Sequence, residues 1–495
     1  MSKKNDSWSF ELPWHIETPM LVDMELSLDR VVPRDDDRLP PASVTLMDTA
    51  DERLQRAGVR VAQQSYGDHG EWFVWGPDWQ PWLPAERHDP VGVEAELPDE
   101  VADLTRPFRG RDSLRPIVVA TRRRVRYAML GPDGMPVASL ISDRIVVRRR
   151  GVAAGRFRQV VLDVSGLDER QRAFIQERFV AVGARQVKSL PQLFDRAVQA
   201  GREDALPGRH PAGGSLDAFV GWVFARRARE VIINDLALRS GEVGDGTALM
   251  VALAGLRDEV EALSSLLRSD WRETQLSRLD ALGAGGRALE LNDDAYLGLL
   301  DDLESASRIP PVTVDGATPA RTVLGERLGG DRLRLIGHVD ALLRGDMAHW
   351  SARRQAPLIT DGRATATRNE WARALTVGEQ ALQFTEVAGV LFSRHKAMLR
   401  VIGKVVAALG SAMPPEGPLT DDEIAELSPA QAYAAGRGVE RGLQGTEAAR
   451  RRLVKHWPDW RARLLALGFE AESPDRPSSS PGSGKPKKSG EKGGR

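Results

Sequence analysis

The hydrophobic period of this chain changes once, near residue 200, and a chain so patterned folds a sheet first and a set of helices second. Up to about residue 195 the apolar residues fall in short alternating or β-branched runs, "ASVTLMD", "GEWFVWG", "RPIVVAT", "RIVVRRR" and "FRQVVLDV", divided by "GPDG" and other turn signals. Period two lines one face of a strand, and short strands joined by turns build an antiparallel meander or barrel. "LDERQRAFIQERFVAVG" and "LPQLFDRAVQAG" interrupt this pattern as helices. From about 214 the steps become four and three: Leu249, Leu253, Leu256, Val260, Leu263 and Leu267 draw one apolar stripe down a helix of five turns or more. Further helices are expected around 288–308, 331–354, 366–392, 394–413, 421–439 and 444–467. The fold class is therefore α+β, with a strand-rich domain over 1–197, a Gly- and Pro-rich linker over 198–213, and an all-α helical bundle over 214–470. The segment from 471, rich in Ser, Pro, Gly and Lys, has little to bury and is expected to be a disordered basic tail.

Composition removes several function classes. With 495 residues the chain exceeds one ordinary core, and its 69 Lys and Arg nearly cancel 70 Asp and Glu, so no bulk charge draws it to nucleic acid. The absence of cysteine excludes thiol catalysis, disulfides and thiolate metal sites. The start "MSKKNDSWSFELPWHI" lacks the apolar stretch of a leader, and no later run is long enough to span a bilayer, so a cytoplasmic protein without membrane attachment is expected. His338, His349, His395 and His456 form no His-x-x-x-His or Glu-x-x-His pair. "GERLGGD" and "LGAGGR" do not follow a strand with nucleotide-fingerprint spacing and are expected to be turns between helices.

Near the N-terminus, "VDMELSLD" reads as an alternating strand with Asp23, Glu25 and Ser27 on one face. Two carboxylates so spaced suit a hard cation such as Mg²⁺. A wet strand face with no ligand is the reading these residues favour over a working metal site. The run Arg122, Arg123, Arg124 is either an exposed basic strand that discourages aggregation or an anion site.

The strand-rich segments agree in order and spacing with a known family. "LMDTADERLQRAGVRV", "GEWFVWGP", "LRPIVVATRRRVRY", "DGMPVASLISDRIVV", "RQVVLDVSG" and "ARQVKSLPQLFDRAV" together resemble a CYTH domain, the triphosphate tunnel family of triphosphatases and one class of adenylate cyclases. That resemblance implies a closed antiparallel β-tunnel lined by carboxylates and basic residues, which in active members works with Mg²⁺ or Mn²⁺. Carried over position by position, the family's Glu-x-Glu-x-Lys becomes Asp23, Glu25 and Ser27, and two expected arginines become Ala62 and Gln64. An expected lysine falls near Trp75, three alternating glutamates become Gln159, Val161 and Asp163, and Ser139 replaces a glutamate. Asp48 and Asp143 survive, and the resemblance leaves Asp23, Glu25 and Asp163 for metal and Arg123 for phosphate. A triphosphate needs its charges matched by fixed cations and a metal to orient the attacking water, and most of that set is missing.

The helical half resembles a CHAD domain, a bundle named for its histidines whose basic surfaces bind inorganic polyphosphate. "DGTALMVALAGLRDEVEALSSLLRSDW" matches the first signature helix, with Thr247 at the histidine position and Met250, Ala254 and Gly255 at basic ones, leaving Arg257. "LGAGGRALEL" resembles the following Leu-Gly-x-x-Arg-Asp turn, one residue out of register and without the aspartate, and supplies Arg287, and "EWARALTVGEQALQFTEVAGVLF" resembles the second signature helix with Arg373 at the histidine position. Lys396, Arg400 and Lys404, at steps of four, place three cations on one helical face. Such a stripe is either solvated or a re-sited anion surface. The sequence thus supports a non-catalytic CYTH and CHAD protein acting as a structural or interaction module with at most weak polyphosphate or anion binding. Its alternatives are a metal-dependent triphosphatase and a polyphosphate-binding protein with re-sited basic residues at Arg123, Arg257, Arg287, Lys396, Arg400 and Lys404.

Overall fold

The computed structural model describes residues 7–34, 41–66, 69–83, 87–91, 97–200, 214–241, 245–283, 290–355, 366–413 and 427–467. Arg287, the basic tail and most of the 198–213 linker lie outside these residues. Two compact units are present, one of residues 1–211 with 217–314 and one of 212–216 with 315–495. The helical residues 217–314 therefore belong with the sheet, rather than with the later helices as the change of period suggests.

In the first unit, β1 (Ser7–Leu12), β2 (Arg30–Pro33), β3 (Ala42–Asp48), β4 (Arg60–Tyr66), β5 (His69–Trp75), β6 (Arg87–Pro90), β7 (Arg115–Leu130), β8 (Pro136–Arg149), β9 (Val152–Asp163) and β10 (Arg185–Val187) form one antiparallel sheet. Their order is β10-β1-β9-β8-β7-β3-β4-β5-β6, with β2 paired on β7. The result is an α+β fold with a tunnel-like sheet that is not closed: among the described residues no ladder joins β6 to β10. Short helices α1 (Arg53–Arg56), α2 (Asp99–Leu104) and α3 (Arg106–Arg109) lie between strands, and α4 (Glu169–Ala181) and α5 (Leu193–Ala200) flank β10.

Alternation along the strands decides what each face holds. Val44 and Leu46 of β3, Ala62 of β4, Phe73 of β5, Ala120 of β7 and Val147 of β8 pack under Leu193 and Ala197, so α5 lies across the inner face. On the outer face, Phe10, Leu140, Val160 and Leu162 pack on Ile175 and Phe179 of α4, with Phe10 and Phe179 stacked at 4.3 Å. Asp48, at the end of β3, is fully buried and accepts the backbone N–H groups of Thr49, Leu54 and Gln55 at 2.7, 2.9 and 3.0 Å. It knots the corner into α1, a structural task for this aspartate.

The segment "VDMELSLD" is not a strand. Asp23 and Leu28 bridge across a tight turn, Asp23 Oδ1 accepts the N–H groups of Glu25 (2.9 Å) and Leu26 (3.2 Å), and Ser27 has φ of 55°. An aspartate that bonds its own backbone two residues on competes directly with strand formation. The first sheet strand is instead "SWSFEL", which buries Phe10 and Leu12.

Helices α6 (Leu216–Arg239), α7 (Thr247–Ala262), α8 (Ser269–Gly283) and α9 (Asp294–Arg308) complete this unit. The leucine stripe is buried throughout, but α7 ends at Ala262, and Leu267 instead bridges Val312. Ion pairs of Arg53 with Asp301 and of Arg56 with Glu304 join α1 to α9, and Leu236 of α6 enters the core of Val61, Trp72 and Trp79. The second unit contains α10 (Ala320–Gln355), α11 (Arg368–Ala388), α12 (His395–Ala412) and α13 (Pro429–Ala466) around Leu335, Trp371, Ile402 and Leu453. Where two helices are expected near 421–439 and 444–467, α13 is one continuous helix capped by Ser428.

Candidate anion-binding sites

Cross-strand register assigns the inner face of the sheet. Pairing of Ala42 with Arg122 and Tyr66, of Arg124 with Asp143, of Asp143 with Gln159, and of Gln159 with Glu11 places these residues in two neighbouring rows on one face of six strands. Arg123 pairs with Arg144 one position out of phase and is exposed on the opposite face. Of these three consecutive arginines, Arg122 and Arg124 are thus the two on the inner face, one residue to either side of Arg123.

The charges on this face answer one another. Arg124 clamps Asp143 with two bonds of 2.8 Å, from Nε and Nη2, and the carboxylate side chain is only 8% exposed. Glu11 accepts from Arg185 at 2.8 Å and from Arg196 of α5 at 2.5 Å. The Arg185 bond holds the Glu11 carboxyl below its ordinary range while partial burial opposes this. Arg196 also stands over Phe157 at 4.1 Å, so the helix that covers the sheet brings its own cation to the inner carboxylate. Two donors are left over: Arg122 Nε and Gln159 Nε2 are buried without hydrogen-bond partners. Burial, and then Arg124 nearby, lowers the Arg122 pKa.

Asp23, Glu25 and Asp163 do not form a metal site of the expected kind. The Asp23 carboxylate is spent on its turn, Glu25 is exposed, and Asp163, whose pKa is lowered mainly by the Ser165 N–H, accepts that group at 3.0 Å. Among the described residues no three His, Asp or Glu side chains are grouped so as to hold a metal ion. The described residues therefore do not fit Mg²⁺ or Mn²⁺.

In the helical part of the first unit, Arg257 is on the surface, bonded to Asp280 at 2.8 Å and near Glu261 at 3.2 Å. The second unit is different. Arg394, Arg400 and Lys404 of the α12 edge and Arg463 of α13 line one pocket of about 260 Å³, with Trp460 in its wall. All four cations are exposed, and none makes an ion pair with any described residue. Lys396 is exposed on the same helix but does not line the pocket. The step-of-four pattern places Arg400 and Lys404 on one helix face, and both line the pocket. It could not find Arg394, Arg463 or Trp460, which sequence separation or helical phase hides and only the packing of α12 on α13 brings together.

No family model matches this chain, and no curated protein matches it. Two solved structures are similar to part of it. One is an adenylate cyclase candidate from Bacillus halodurans, at 13% identity over 34% of this chain and 96% of that one, with a TM-score of 0.19. The other is an adenylyl cyclase candidate from Hippeastrum with a dominant triphosphatase activity, at 14% identity over 40% of this chain and 96% of that one, with a TM-score of 0.20. Among the described residues no helix is long and apolar enough to cross a membrane.

Proposed function

We propose that this protein is a non-catalytic module of the CYTH and CHAD kind, and that it receives a polyanion, inorganic polyphosphate being the fitting chemistry, on its second helical unit. The observation that carries this reading is the pocket formed by Arg394, Arg400, Lys404 and Arg463, four cations gathered with no carboxylate partner among the described residues. Like charges placed together at a surface repel, and a bound polyanion relieves that cost while releasing its own counterions. Trp460 supplies an apolar part of the pocket wall.

The sheet supports the non-catalytic half of the proposal. Both inner carboxylates described above are held by arginines of the same chain, Asp143 by Arg124 and Glu11 by Arg185 and Arg196. A metal would have to displace these charge-assisted bonds, each contributing roughly 1.5–3 kcal/mol. The unpartnered donors of Arg122 and Gln159 leave room for weak binding of a single anion there. The test is phosphate release from tripolyphosphate and from nucleoside triphosphates with Mg²⁺ or Mn²⁺. Little or none is expected; turnover that disappears in Asp143→Asn would establish the triphosphatase reading instead.

A further inference from the structure

A second cavity, of about 450 Å³, lies within the first unit and has a different chemistry. Trp79 and Phe108 from the sheet side meet Trp222 and Ile232 of α6 and Leu300 of α9, so most of its wall is aromatic or aliphatic. Trp79 and Phe108 are themselves packed edge to face at 4.8 Å, which fixes the floor. Ligand cavities are commonly of this size, largely apolar, with a few converging polar groups that fix orientation.

The polar groups are few and their pairing is uneven. Arg53 and Arg226 at the wall are committed to Asp301 and Glu259. Arg56 is committed through Nη2 to Glu304, yet its Nε is buried without an acceptor. Arg229 stands over the Trp79 ring at 4.3 Å and donates Nη2 to the Asp78 carbonyl at 2.9 Å, with no ion pair to any described residue. The cavity therefore offers an aromatic floor, one buried N–H lacking an acceptor, and one cation lacking a counter-charge.

We infer that this cavity binds a small amphipathic monoanion, with a flat apolar body among Trp79, Phe108 and Trp222 and one carboxylate or sulfonate against Arg229. An organic cation would meet Arg229 as a like charge. A polyphosphate would bring many charges to one spare cation and would bury none of the apolar wall. The inference concerns residues separate from the Arg394–Arg463 cluster and does not rest on the polyanion reading.

The experiment is a fluorescence titration of the full chain with 8-anilinonaphthalene-1-sulfonate, followed by displacement with 2-naphthoate or with the uncharged 2-naphthylmethanol. One saturable site per chain is expected, displaced by the carboxylate in preference to the alcohol. Loss of one charge-assisted hydrogen bond in Arg229→Gln should weaken the probe about tenfold. Ala228→Trp, which places an indole in the cavity, should abolish binding. Arg229 is exposed, so Arg229→Gln is expected to fold and carries the test alone if Ala228→Trp does not, with circular dichroism checking both. Non-saturable probe uptake, equal displacement by the alcohol, or unchanged affinity in Arg229→Gln would overturn the inference.

Discussion

Asp143→Asn separates a neutralised tunnel from a dormant metal site, because the two accounts give opposite signs. Arg124 and Asp143 are joined by two charge-assisted bonds of 2.8 Å, with the carboxylate 8% and the guanidinium 26% exposed. Asparagine retains one acceptor oxygen, turns the other position into a donor facing Arg124 Nη2, and removes the counter-charge. Losing one such bond costs roughly 1.5–3 kcal/mol, and the residual exposure of Arg124 moves the expected loss toward the lower end, about 2 kcal/mol. Since the chain has two compact units, the loss is best read locally, by hydrogen exchange in β7 and β8 rather than by one global transition. The second consequence concerns ligands. Freed of Asp143, Arg124 joins Arg122 to make two inner-face cations beside the unpaired Gln159 amide. Tripolyphosphate affinity, measured calorimetrically with and without Mg²⁺, should therefore rise about tenfold, one charge-assisted hydrogen bond's worth. A metal site would behave the other way: weaker binding in Asp143→Asn, seen only with Mg²⁺, together with unchanged exchange in β7 and β8, would refute the reasoning.

Two further perturbations probe the same unit. The folded-state pKa of Glu11 is lowered from its ordinary value of 4.5, chiefly by Arg185, so its pairing stabilises the fold above that value and is lost as pH falls through the lower folded value; exchange in β1 and α5 should quicken below about pH 4.5, and Glu11→Gln should remove this acid-dependent component. At Gly221 of α6 an added Cβ would lie 2.6 Å from the Ser307 carbonyl oxygen of α9, so Gly221→Ala should cost about 1–3 kcal/mol through forced separation of those helices, measured as faster exchange in both.

Much of the fold was legible because period and burial agree. The leucine stripe from Leu249 to Leu267 is wholly buried, and β3 alternates buried and half-buried positions along its length. Alternation failed at "VDMELSLD" because a tight turn closed by an aspartate side chain can carry the same pattern; the Asp-x-Glu backbone bonding, rather than the apolar spacing, decides it. The true first strand carried a signal in Trp8, Phe10 and Leu12, with Glu11 on the other face. For Arg122, Arg123 and Arg124 no local pattern sets which point inward, since three like residues have no parity; the pairing of Ala42 with Arg122 settles it. The site in the second unit was half legible for a different reason. Arg400 and Lys404 share a helix face, but Arg463 arrives from a helix some sixty positions later and joins them only through packing.

The central claim, that the Arg394, Arg400, Lys404 and Arg463 cluster receives a polyanion, is tested most directly by the salt dependence of polyphosphate binding to the full chain. Four phosphate contacts by these cations predict a slope of log K against log salt of about −2.8, so affinity should fall about fifty-fold between 50 and 200 mM salt. The double variant Arg400→Ala and Lys404→Ala leaves two of the four, and its slope should shrink to about −1.4 with weaker binding at every salt concentration. A slope and affinity unchanged in the double variant would contradict the account and place any polyphosphate binding elsewhere in the chain.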